Sequence, residues 1–214
     1  VNVEREAKLA VDTDFRLPDL SHLGAGLEGI GDVTERFVSS YHDTPDLRIV
    51  RWGASLRYRA AEGWTVKLPQ GVQGSVTTRS EHAFDGGPGR APAGAIDLVR
   101  GLVRDVAVGP VARLQTVRHH TRVACADDDH QVADVVVDDV SVLEGRRIVD
   151  RFREVEVEFA ADADGSTMSA VLDALTDAGA RATEPSPKVV RALGSPAMEP
   201  PDVVPLSIHA SSTV

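Results

Sequence analysis

The stretch Phe152-Arg153-Glu154-Val155-Glu156-Val157-Glu158-Phe159 decides how the rest of the chain is read. Carboxylates occupy every second position while Val155, Val157 and Phe159 fall on the opposite side, which is the two-residue alternation of a β-strand. Only one face of such a strand can be apolar core. If the valine face packs against helices, the glutamate face looks either into bulk water or into an internal cavity.

Other segments repeat the pattern with both signs. Glu4, Glu6 and Lys8 share one face of residues 1–9, Arg57 and Arg59 recur in 55–60, and Lys67 sits between Val66 and Leu68. Arg79 and Glu81 alternate in 77–84, and Arg118 lies within 112–126. Repetition favours the internal reading. Desolvated charges of a single sign would repel one another, so an interior lined by them needs both signs and a polar filling. Carboxylates at this spacing on facing strands suit a hard divalent cation such as Mg²⁺ or Mn²⁺. Arginine forks and lysine ammonium groups on neighbouring strands suit phosphate oxygens. The residue types therefore point to a site for a polyanion together with a metal.

Between these strands the sequence predicts a Gly- and Leu-rich loop with a short helix over 17–33 and a strand over 37–41. Asp43-Thr44-Pro45 predicts a capped helix from Pro45 to Trp52, ended by Gly53. A hairpin turn falls at 61–63 and a connector at 85–94, and Ile96, Val99, Leu102 and Val103 mark the apolar face of a helix. Two long arms, 112–126 and 131–143, are joined by Asp127-Asp128-Asp129, a solvated turn rather than a metal loop. Helices follow at 168–178 and 188–193. Domain 1–194 is thus α+β, with about eight strands in consecutive antiparallel pairs. Closing them into a β-barrel with flanking helices leaves no strand edge unpaired. Residues 195–214 are Pro-rich and read as a linker or tail.

The 214 residues carry a formal charge of −10 and 42% hydrophobic positions, as expected of one globular domain that closes a core without disulfides. Its single cysteine, Cys125, excludes a disulfide framework and a zinc finger. The acidic balance argues against coating duplex nucleic acid or an anionic membrane, and no segment has the length of a membrane span or the pattern of a signal peptide, so the expected location is cytoplasmic.

In order along the chain, Glu4-x-Glu6-x-Lys8, Tyr41-His42-Asp43-Thr44, Leu56-Arg57-Tyr58-Arg59, Thr65-Val66-Lys67-Leu68-Pro69, Arg79-x-Glu81, Arg118, Asp138 and Glu154-x-Glu156-x-Glu158 resemble the motifs of the CYTH domain family, the triphosphate tunnel metalloenzymes. That family includes thiamine triphosphatases, inorganic triphosphatases and class IV adenylate cyclases. The resemblance is greatest to CYTH domains of bacterial proteins that carry a second, helical CHAD domain, which here would follow the Pro-rich tail. It implies an eight-stranded antiparallel tunnel around a linear triphosphate or short polyphosphate. Glu4, Glu6, Glu154, Glu156 and Glu158 would hold Mg²⁺ or Mn²⁺. Arg57, Arg59, Lys67, Arg79 and Arg118 would clamp phosphates, with Lys188 and Arg191 near one mouth. Of the implied catalytic pair, Lys8 would sit near the scissile bond or phosphate and Asp138 would complete the acidic half of the tunnel. One position departs from the family: Thr116 stands where a cation is usual, which bears on catalytic rate.

Several residues carry no functional reading. His119 and His120 point to opposite strand faces, Trp52 and Trp64 read as core anchors, and Tyr41 packs with its hydroxyl partnered. The glycine-rich 85–94 lacks the Lys-Ser/Thr of a P-loop. The expected activity is metal-dependent hydrolysis of inorganic or small organic triphosphate. The alternatives are a polyphosphate-binding module without turnover and an adenylate cyclase, for which no purine pocket is evident.

Overall fold

The computed structural model describes residues 2–21, 23, 26–183 and 186–203, with residue 32 described in its backbone only. In chain order these residues form β1 (Asn2–Ala10), β2 (Leu27–Asp43), α1 (Arg48–Arg51), β3 (Ser55–Arg59), β4 (Gly63–Gln73), β5 (Val76–Phe84), α2 (Ala93–Val103), β6 (Gly109–Cys125), β7 (Gln131–Glu144), β8 (Arg147–Phe159), α3 (Gly165–Asp177), β9 (Arg181–Ala182) and α4 (Lys188–Leu193). Hydrogen bonding runs β5-β4-β3-β2-β6-β7-β8-β1 and returns from β1 to β5, closing an eight-stranded antiparallel barrel. The two-residue β9 continues the edge of β1 at Leu9 and Ala10, beyond its ladder with β5.

Register puts the charged rows on the inner face. Arg118 lies opposite Asp138, and Asp138 opposite Glu154. Glu156 faces Lys8, and Glu158 faces Glu6. Glu4 lies opposite Arg79 and Glu81 opposite Lys67. Arg57 and Arg59 face Tyr41 and Ser39. Directly opposed residues share a face, so a one-residue slip at any of these pairs would turn a whole row outward.

Three apolar clusters fix that choice. On the outside of β7 and β8, Val135, Val137, Val155 and Val157 pack with Val171 and Leu175 of α3. Leu56, Trp64 and Val66 pack under Ile49 of α1 and Val99 and Val103 of α2. Each fully buried side chain of this size contributes roughly 1.5–3 kcal/mol. The third cluster lies within the barrel at one end, where Leu114, Val140 and Phe152 meet Val189 and Val190, so α4 stops that end.

Two expectations are corrected. The chain from Leu27 is strand, with Leu27 to Ile30 pairing to Cys125 to Arg122, rather than part of a loop with a helix. Ladder hydrogen bonds override the weak strand propensity of Gly29, while Gly31, at φ 73°, falls in the bulge between Ile30 and Val33. Gly29 is required in that ladder, because a Cβ would stand 2.6 Å from the Leu20 Cβ. The helix expected from Pro45 is confined to Arg48–Arg51, since Leu47 takes a left-handed conformation at φ 58°. Asp43 still caps it: one oxygen accepts from the Thr44 and Ile49 N–H groups at 2.7 and 2.9 Å, the other from Val50 at 2.9 Å. After α4, Ser195–Met198 forms a 3-10 turn whose Ala197 is buried, and Arg51 donates to the Pro200 carbonyl while Arg104 pairs with Asp202. The remainder of the Pro-rich tail, 204–214, and any domain beyond it lie outside the described residues.

Candidate functional site

The barrel encloses a polar cavity that opens to solvent. Lys8, Arg57, Arg59, Lys67, Arg79 and Arg118 line it together with Lys188 from α4. Glu6, Glu156 and Glu158 complete the acidic side, with Tyr41 and Ser55 between. Arg191 stands apart. It borders a neighbouring hollow beside Glu154 and Lys188, donates to the Arg153 carbonyl at 3.1 Å and lies over the Phe152 ring.

The charges divide into three groups. In the first, Asp138, Glu154 and Glu156 bring one oxygen each within 4.8 Å of the others, a donor set and spacing that could hold a metal ion. Cations of the protein already serve it. The Lys188 ammonium bonds Asp138 and lies 3.0 Å from Glu154 and 3.6 Å from Glu156. Arg118 forks onto Asp138 at 2.9 and 2.7 Å and reaches Glu156 at 3.1 Å. Lys8 meets Glu156 at 2.5 Å. Burial acts to push Asp138 and Glu156 up, but Lys188 and its fellow cations win, and both carboxyls sit below their usual range. Burial would likewise neutralise Lys8, Lys188 and Arg118, yet their carboxylate partners raise all three. Three carboxylates against three cations is a balanced group.

The second group is short of positive charge. Lys67 bridges Glu4 at 2.6 Å and Glu81 at 2.9 Å, and Arg79 approaches Glu6 at 3.2 Å. Neither Glu6 Oε1 nor Arg79 Nε is aligned for a hydrogen bond, so both are buried without one. Four carboxylates, Glu4, Glu6, Glu81 and Glu158, face two cations. Burial and a hydrogen bond to Glu81 raise Glu4 to about 7. Burial works against ionising Glu81 as well, but the Glu4 hydrogen bond and Lys67 bring it down to about 2. Burial also pushes Glu158 up. Carboxylates held this way favour a proton or an added cation.

The third group has positive charge to spare. Arg57 and Arg59 share Glu62, at 3.1 and 2.7 Å, and Arg57 Nε is buried without a hydrogen bond. Arg59 donates to Ser39 Oγ at 2.8 Å and lies 3.8 Å from the Phe37 ring centre. Burial first, and then Arg57, lower the Arg59 pKa. An anion between these arginines would relieve both effects.

Sequence reasoning singled out the cations and the glutamates on β1 and β8, and the barrel brings all of them except Arg191 to one wall system. It missed Ser39, Ser55, Glu62 and the part Glu81 takes in binding Lys67. Glu81 had the inward alternation to give it away, whereas Glu62 sits in a turn and joins the arginines only through the β3–β4 hairpin. Thr116 is 1% exposed and lies between Phe37 and Val140. The two histidines do part company: His119 bonds Thr34 and His120 bonds Asp134. Trp64 is a core anchor, its indole N–H donating to the Gly87 carbonyl. Among the described residues, no helix is long and apolar enough to cross a membrane.

Two uncharacterised proteins from two strains of Mycobacterium tuberculosis are each 29% identical to this chain over 212 residues, covering 91% of it. The chain spans about 40% of the length of these curated relatives. A solved structure from Hippeastrum, described as an adenylyl cyclase with a dominant triphosphatase activity, shares the fold with a TM-score of 0.53 at 15% identity, covering 87% of this chain and 94% of that one. A family model described as "CYTH domain" matches residues 2–180, the span of the whole barrel with its charged interior, and the chain belongs to the CYTH domain family.

Proposed function

We propose that the tunnel hydrolyses a linear triphosphate, inorganic or carrying a small organic group, with the help of Mg²⁺ or Mn²⁺. The observation that carries this reading is the division of charge inside one cavity, where a carboxylate group lacking cations faces an arginine group lacking anions. A metal on the acidic side would be held by Glu4, Glu6 and Glu158, with Glu6 having a buried oxygen without a hydrogen bond, as Glu154 has in the first group. Glu154 and Glu156, with Asp138, then serve to hold Lys8, Arg118 and Lys188. The metal would supply electrophilic polarisation of a phosphate oxygen and lower the pKa of water.

The protein's own groups do the rest. Arg57 and Arg59 grip the far phosphates, and Lys67, Arg79 and Arg118 offset charge on the transferring group and on the leaving oxygen as the P–O bond breaks. Lys8, anchored by Glu156, presents its remaining N–H bonds toward the cavity. Water adds to the terminal phosphorus, pyrophosphate or, from an organic triphosphate, the organic diphosphate leaves, and the proton lost from water ends on the released phosphates. Because the donors are already oriented by ion pairs, little reorganisation accompanies the reaction.

Release of phosphate from triphosphate, ATP and thiamine triphosphate, each with Mg²⁺ or Mn²⁺, tests this reading. A second reading, polyphosphate binding without turnover, draws on Thr116, which leaves one inward position without a cation. Tight binding of triphosphate with no phosphate release would establish it. The longer relatives also suit a CYTH domain followed by a further domain such as CHAD.

A further inference from the structure

Of the 20 arginines in the chain, seven have side chains with no hydrogen-bond or ion-pair partner among the described residues. Five of the seven, Arg36, Arg113, Arg146, Arg147 and Arg151, lie on β2, β6, β8 and the β7–β8 turn. All five are exposed. Register places Arg36 beside Val117 and Arg151 beside Ser141 on the outer face, the side opposite Thr116, Arg118 and Phe152. Val117, an apolar residue of this face, packs into neither the α3 cluster nor the α1 and α2 cluster. A concavity on this bare half of the barrel is lined by Arg36, Gln115, Val117, Asp139, Ser141 and Arg151. Asp139, the carboxylate in it, is taken by the Arg153 fork at 2.7 and 2.9 Å.

A protein of net charge −10 thus concentrates its unpaired guanidinium groups on one outer wall. Such forks on rigid strands suit successive phosphates. Among the described residues this face has no exposed Phe, Tyr or Trp ring on which a base could stack, and single-stranded nucleic acid draws much of its affinity from such rings. We infer that this outer face is a second anion site, which binds the chain of long inorganic polyphosphate. It is separate from the tunnel and stands whether or not the tunnel hydrolyses triphosphate.

The test compares Arg36→Gln/Arg151→Gln with Arg90→Gln/Arg100→Gln, a variant of equal charge change on α2 and the connector before it. Binding of long-chain inorganic polyphosphate is titrated at several salt concentrations, with triphosphate binding measured alongside to report an intact tunnel. Loss of two phosphate contacts flattens the logarithmic salt dependence by about 1.4 and weakens binding about 10-fold near physiological salt. The expected result is that loss in the first variant alone, with triphosphate binding unchanged in both. Equal losses in the two variants would reduce the effect to net charge and overturn the site. So would undiminished binding in the first variant, or a single-stranded oligonucleotide that binds the wild type as tightly as polyphosphate and loses the same contacts.

Discussion

Replacing Lys188 by methionine keeps most of the side-chain volume and removes the one cation that all three carboxylates of the balanced group share. Lys188 is buried, and its ammonium bonds Asp138 while standing 3.0 Å from Glu154. Without it, Asp138, Glu154 and Glu156 keep only Lys8 and Arg118, leaving one uncompensated negative charge in a site where Asp138 is 0% exposed. Breaking a buried ion pair from one side costs about 3–5 kcal/mol. For a chain of this size that is a fall in Tm of about 6–20 °C. Calorimetry of Lys188→Met in EDTA at neutral pH measures it. The acid limb should move as well. Because Asp138 and Glu156 are held below their usual range, their contribution is present above the unfolded carboxylate pKa and lost as pH falls through the folded values. Removing Lys188 shifts that loss to higher pH. The same variant frees three oxygen donors within 4.8 Å of one another, so millimolar Mn²⁺ should restore stability, by about 2.7 kcal/mol at 100 times the dissociation constant, and do so more than in wild type. A Tm within about 2 °C of wild type in EDTA, less than 1 kcal/mol, would refute the assignment of Lys188 as the resident cation of this group.

Glu158→Gln or Glu4→Gln should remove divalent-metal affinity in a metal titration with little loss of Tm, whereas Glu154→Gln should lower Tm and leave metal affinity near wild type; the opposite pattern would move the metal to the Asp138 side. Since Glu4 keeps its proton up to about pH 7 and a ligand must be deprotonated, metal affinity should rise by about one decade per pH unit below 7 and level off above it. Calorimetry in buffers of different ionisation enthalpy would register up to one proton released per metal on the acid side. Asp43→Ala strips the acceptor from three N–H groups at a cost of about 2–4 kcal/mol, and thermal melts should show it while turnover per folded molecule stays unchanged.

Strand after strand, the charged inner face was legible as alternation, because a period of two assigns each side chain to a face without any knowledge of the neighbouring strand. Glu4, Glu6, Lys8, Arg57, Arg59, Arg79 and the β8 glutamates were read this way, and the barrel confirms that they share one side. The strand from Leu27 was not legible. Its glycines carry no alternation: pairing with β6 draws Gly29 into the ladder, and Gly31 falls in a bulge. Glu62 was not legible either, since a turn residue acquires its partners from the hairpin that positions it.

What the sequence alone determined is therefore the inventory of the tunnel, its two signs of charge on one strand face, and with them the family. Which carboxylate answers to which cation was decided by the tertiary structure, because register and closure set distances between residues as far apart in the chain as Lys8 and Glu156. The plug helix made the largest difference. Lys188 follows no strand alternation, and it reaches Asp138, Glu154 and Glu156 only because Val189 and Val190 seat α4 against the end of the barrel. That single ammonium turns a set of metal-like carboxylates into a balanced ion cluster, and leaves the excess negative charge with Glu4, Glu6 and Glu158.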